Sequence, residues 1–188
     1  MAAIALAACS DSGAPKYFET RGLRAPQSAC LINPQSLGQV SQAPDIDEGN
    51  GCEVRHRYDV QSLAGIQFSQ TATMNCGLTG PLNDWLANTV QNSARDAFGE
   101  RVVGVDVAAS YACRPRNNVG GAKMSEHGYG NAIDIAAFTL ESGRKVSVLD
   151  DYYGSASSQK FLREVRSEAC GEFATVLGPG SEDRRAHV

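Results

Sequence analysis

"SEHGYGNAIDIAAFTL", residues 125–140, changes character halfway along. Its first half is polar and holds Gly128 and Gly130, the composition of a tight turn. Its second half alternates, with Ala132, Asp134 and Ala136 on one face and Ile133, Ile135 and Ala137 on the other. That two-residue period is the mark of a β-strand. "ESGRKVSV", residues 141–148, follows as a turn and a second strand, so the two predict a hairpin. Upstream, "RVVGVDVAASYACR", residues 101–114, alternates Val103, Val105 and Val107 with Gly104 and Asp106 and reads as a third strand.

Two helices flank these strands. In "LTGPLNDWLANTVQNSARDAFGE", residues 78–100, Leu82, Trp85, Leu86, Val90 and Phe98 fall largely on one stripe. Thr79 is the expected cap, Pro81 suits the first turn, and Gly99 suits the end. Trp85 sits on the stripe and belongs to the core. "SSQKFLREVRSEAC", residues 157–170, gathers Phe161, Leu162, Val165 and Ala169 in the same way, and "EFATVLGPG" after it reads as a short last strand. Residues 30–76 read as irregular chain with one or two short strands, His56 being an exposed strand residue. The order helix, three strands, helix, strand predicts an α+β domain, a small antiparallel sheet flanked by helices.

Composition narrows the function. The 188 residues are 42% apolar and 20% charged, with net charge −4, as in an ordinary globular domain. Arginines are scattered, and no basic field exists to recruit nucleic acid. The six cysteines, at 9, 30, 52, 76, 113 and 170, never take the CxxC spacing of a zinc knuckle or redox motif. Such wide spacing favours disulfides and an oxidising compartment over buried thiols. Cys30–Cys52, close in sequence, is the first expected pair, with Cys76 and Cys113 next and Cys113–Cys170 in competition.

"MAAIALAAC", residues 1–9, is small and apolar before the chain turns polar at Ser10. It resembles the end of a bacterial lipoprotein signal, with Cys9 as the lipid acceptor and possible membrane anchor. No positive charge precedes it, so the expectation is that the natural start lies further upstream. The organisation expected is a residual signal segment (1–9), a polar Gly/Pro-bearing tether (10–27) and one domain (28–188).

His127 and Asp134 are the chemistry-bearing pair. Zinc takes imidazole nitrogen and carboxylate oxygen at about 2 Å, so a turn folding back over a strand end suits it. Gly128 and Gly130 permit that path, Ser125 is placed to hydrogen-bond locally, and Asn131 to act as an outer donor. On spacing alone, a polar turn holding a histidine near a partly solvated aspartate explains the pair better than a metal does.

The surrounding words change this. "SYACRPRN", "SEHGYGNAIDIAAF" and "FLREVRSEACGEFATVLGPGS" together resemble the bacterial extensin-like C-terminal domain family, from about Cys30 to Ser181. That family is similar to the zinc D,D-peptidases of cell-wall metabolism, which share a fold with the Hedgehog signalling domain. The resemblance implies a Zn2+ cofactor held by His127 and Asp134. It implies that Arg114 is catalytic, binding substrate or stabilising the oxyanion; Ser125 and Tyr111, read from their place beside it, are the expected substrate-binding residues, with packing as the alternative for Tyr111. The implied substrate is a peptidoglycan peptide, and the implied location is the periplasm, with a lipid anchor at Cys9. A non-catalytic envelope module of the same fold, binding cell-wall peptide or a protein partner, is the alternative.

The departure lies at the end of the chain. The peptidases draw a third ligand from a His-x-His segment, whereas "VLGPGSEDRRAHV" offers only His187, with Glu182 and Asp183 as neighbouring acids. The expectation is a sequence cut short there, with His187 at the edge of the motif; the competing expectation is that His187 itself serves as a substitute third metal ligand.

Overall fold

The structure, a computed structural model, describes residues 33–179. Cys9, Cys30, the tether and His187 lie outside the described residues. The strands are β1 (Val40–Gln42), β2 (Ile46–Asp47), β3 (Glu53–Val54), β4 (Arg57–Leu63), β5 (Ile66–Asn75), β6 (Val102–Ala109), β7 (Asp134–Leu140) and β8 (Lys145–Ser147). The helices are α1 (Cys76–Trp85), α2 (Gln91–Phe98) and α3 (Ala156–Glu172), with one wide π-helical turn, Leu86–Val90, joining the first two.

Ala64 and Gly65 both take positive φ, 50° and 76°, which makes a tight two-residue turn between β4 and β5. This hairpin corrects the reading of residues 30–76 as mostly irregular. β5 is ten residues long, but its middle, Gln67 to Thr71, is largely solvent-facing and polar, which hides the apolar alternation. His56 is likewise not in a strand. It stands in the bend between β3 and β4 with φ 49°.

Six strands form one sheet in the order β1-β4-β5-β6-β7-β8, and β2 pairs with β3 separately. Every neighbouring pair is antiparallel except β5–β6, so the sheet is mixed and not simply antiparallel. The reason is the connection. The helical run from Cys76 to Phe98 carries the chain back to the same end of the sheet, as a parallel pair requires.

Asn75, not Thr79, caps α1: its Oδ1 accepts the Leu78 N–H at 2.9 Å, and the Thr79 hydroxyl donates to the Asn75 carbonyl at 2.9 Å. The helix starts earlier than expected, and Pro81 lies inside it. Gly99 ends α2 in the left-handed conformation, as expected. The helices cover the sheet through Trp85, Phe138 and Phe161, the last two edge to face at 5.1 Å. The Trp85 indole donates to the Val165 carbonyl at 3.1 Å. Residues 173–179 form no strand. Val176 is buried, and the buried Arg166 holds the Pro179 carbonyl at 3.0 Å.

The disulfide expectation is also corrected. Cys52 pairs with Cys113, 61 residues away, with Cα atoms 5.6 Å apart. The Cys30–Cys52 and Cys113–Cys170 pairings are therefore excluded. Cys76 and Cys170 are disulfide-bonded as well. Sequence proximity misleads because the β2–β3 hairpin folds over the segment after β6.

The backbone ladder between β5 and β6 is short, joining only Gln67–Gly104 and Phe68–Val105. Just before it, the buried Gln91 of α2 brackets Val102, donating to its carbonyl (2.8 Å) and accepting from its N–H (3.1 Å). Gln91→Ala leaves both groups unpaired and is expected to cost about 2–4 kcal/mol in urea unfolding. A loss under about 0.5 kcal/mol, the range of an ordinary surface change, would contradict this bracketing role.

Candidate metal centre

Ser110 to Arg114 leaves β6 and runs beside Ser125 to His127. The Ala112 N–H donates to the His127 carbonyl at 3.2 Å, and the Ser125 N–H to the Arg114 carbonyl at 3.0 Å. Ser125 is buried and caps a single 3-10 turn, Glu126–Tyr129, its hydroxyl oxygen accepting the His127 N–H at 3.4 Å. Gly130 closes that turn at φ 60°. A Cβ there would meet Val54 Cγ1 at 2.8 Å and the Asn75 nitrogen at 3.0 Å, so both conformation and space demand glycine.

The turn is fastened to the helix start. The Asn75 N–H donates to the Gly130 carbonyl at 2.8 Å, and the Asn75 side-chain amide donates to the Tyr129 carbonyl at 3.1 Å. One residue thus caps α1 and anchors the turn. Gly128 serves by size, since a Cβ would sit 3.0 Å from the Cys52 sulfur and from Met124 Cγ. The chain then reaches Asp134, which pairs with Ala109 at the end of β6.

These constraints bring His127 and Asp134 together. His127 Nδ1 hydrogen-bonds the Ser110 carbonyl, which can only accept, so the proton lies on Nδ1. Nε2 faces Asp134 Oδ2 at 3.5 Å, with the histidine side chain 9% exposed and the aspartate 23%. Two ligands at ~2.1 Å from one tetrahedral ion would be about 3.4 Å apart, so the pair has the span and tautomer that zinc requires.

Arg114 lies close enough to oppose protonation of His127, and among the described residues its guanidinium makes no hydrogen bond or ion pair. Tyr111 turns to the β2–β3 hairpin, donating to Glu48 Oε1 at 2.6 Å. Burial first, and then that hydrogen bond, push its phenol up to about 12. Glu48 has no signal in the sequence, because only the folded hairpin brings it here. Asn131 donates to the Glu126 carboxylate at 3.1 Å, and Arg116 takes the other oxygen at 3.1 Å, so Glu126 is occupied. Among the described residues no group of three or more His, Cys, Asp or Glu converges on one metal position.

The His127 pKa lies above 6.5, chiefly because Asp134 hydrogen-bonds the ring; burial opposes the rise and the Ser110 carbonyl adds to it. A raised histidine pKa stabilises the fold fully below the unfolded value near 6.5, and that contribution is lost as pH rises through the folded value. An NMR titration of chelator-treated protein is expected to place the His127 midpoint above 6.5, and Asp134→Asn to lower it. A midpoint unmoved by Asp134→Asn would contradict the pairing.

No curated protein and no solved structure matches this chain. The family described as extensin-like protein C-terminus matches residues 28–188, which include every element above. The chain belongs to the extensin-like protein C-terminus family.

Proposed function

We propose that this chain is a zinc-dependent peptidase-like domain of the bacterial cell envelope, with the Hedgehog/D,D-peptidase type of fold, acting on peptidoglycan stem peptides. The observation that carries the proposal is the His127–Asp134 pair, with Nε2 and Oδ2 3.5 Å apart and Nδ1 committed to a backbone carbonyl. The substrate class rests on the resemblance of "SYACR" and "SEHGYGNAID" to the cell-wall peptidases. The Cys52–Cys113 disulfide supports an oxidising, periplasmic location. Anchoring through a lipid on Cys9 belongs to the same proposal.

His127 Nε2 and Asp134 Oδ2 would hold the ion, with His187, outside the described residues, as the third ligand. Zinc, when bound, supplies a Lewis acid for the scissile carbonyl and activates water for attack. Arg114, whose guanidinium makes no hydrogen bond or ion pair among the described residues, brings a positive charge suited to a substrate carboxylate or a developing oxyanion. Ser125 acts through the backbone, holding the turn on which His127 rides. Tyr111 is occupied with Glu48, a hydrogen bond that ties the segment leading to Arg114 to the β2–β3 hairpin.

A non-catalytic module of the same fold, binding cell-wall peptide or a protein partner, is the second reading. It is favoured by the presence of only two converging metal-binding side chains among the described residues.

Metal analysis of purified full-length protein, beside His127→Ala and Asp134→Ala, separates the two. Stoichiometric zinc lost in both variants, with peptide fragments released from purified peptidoglycan, is the result expected of the enzyme. Stoichiometric zinc without release points to the binding module, and absence of zinc from the wild type defeats the metal reading.

A further inference from the structure

We propose that Ser110 is a positioning residue for His127, through which the seam between β5 and β6 sets the imidazole tautomer; this rests on the metal reading above. Beyond Phe68–Val105 the two strands are no longer joined by a backbone ladder. Side chains cross the gap instead. Ser69 Oγ accepts the Val107 N–H at 2.9 Å, and Gln70 Nε2 donates to the Val107 carbonyl at 2.7 Å. Ser110 Oγ accepts the Thr73 N–H at 3.1 Å.

Ser110 therefore has two tasks on one residue. Its hydroxyl oxygen fixes it to β5, and its carbonyl receives His127 Nδ1. The β5 side of the contact is itself firm. The Thr73 hydroxyl donates to Asp59 Oδ1 at 2.8 Å, and Arg57 grips both oxygens of Asp59 at 3.0 and 2.7 Å. The cross-strand register of Asp59 with Thr73 carries that rigidity to the strand end.

The consequence is chemical. With the Ser110 carbonyl fixed, the neutral ring carries its proton on Nδ1 and presents a bare Nε2 toward Asp134. Without the hydroxyl, the Ser110 peptide can turn, and the carbonyl leaves Nδ1. The proton then gains an alternative place on Nε2, donating to Asp134 Oδ2, where it competes with a metal for both groups. Outer partners that orient ligand histidines typically change metal affinity by about 10–100-fold.

The test compares wild type, Ser110→Ala and Ser110→Thr as full-length proteins, with thermal unfolding recorded for each. Long-range proton–nitrogen NMR of the chelator-treated proteins, at a pH where the ring is neutral, reports the His127 tautomer. Wild type and Ser110→Thr, which keeps the hydroxyl, are expected to hold the Nδ1–H form. Ser110→Ala is expected to show a mixture and to bind zinc about 10–100-fold more weakly in a competition assay. An unchanged tautomer in Ser110→Ala would overturn the proposal, as would an equal disturbance in Ser110→Thr. If Ser110→Ala does not fold, the threonine variant decides, because retention of the Nδ1–H form is required of it. The tautomer readout needs no metal, so wild type that fails to bind zinc defeats the metal reading while Ser110 is still judged.

Discussion

Only Gln67–Gly104 and Phe68–Val105 join β5 to β6 through the backbone, and the two halves of the sheet meet along that line. On one side stand β1, β4 and β5; on the other, β6, β7 and β8 carry Asp134 and lead to the turn holding His127. Parallel pairing here follows from the helical crossover, and side chains of Gln91, Ser69, Gln70 and Ser110 complete what the short ladder leaves open. The candidate centre forms where the strands diverge, a place at which main-chain groups are available to side chains. Its position is therefore set by hydrogen bonds of defined direction more than by packing alone.

A second set of constraints closes over the first. The Cys52–Cys113 disulfide ties the β2–β3 hairpin to the segment bearing Tyr111 and Arg114, and Tyr111 answers by donating to Glu48. Asn75 joins the helix start to the His127 turn. Arg114 is thus placed beside the histidine by covalent and hydrogen-bonded restraints, while its guanidinium makes no hydrogen bond or ion pair among the described residues.

Much of this was legible in the residues, and the failures have physical causes. Leu82, Trp85, Leu86 and Val90 revealed their helix because one apolar stripe at helical spacing meets the sheet. Val105, Val107 and Ile135 revealed their strands because one face is buried. β5 escaped because its middle is polar and solvent-facing, and its hairpin turn uses Ala64 at positive φ, where glycine or asparagine is the usual signal. The Asn75 cap is hidden in the sequence because Thr79 offers the same chemistry four residues later. The convergence of His127 with Asp134 followed from the resemblance and not from spacing, and the Ser110 carbonyl, a backbone group, leaves no trace in side-chain patterns.

The central claim is that His127 and Asp134 are ligands of one zinc ion. X-ray absorption at the zinc edge of the full-length protein tests it most directly. The expected spectrum has a light-atom shell at about 2.0–2.1 Å with imidazole scattering, and the zinc edge itself is lost in His127→Ala. A sulfur shell at about 2.3 Å, or an imidazole signal unchanged in His127→Ala, would contradict it.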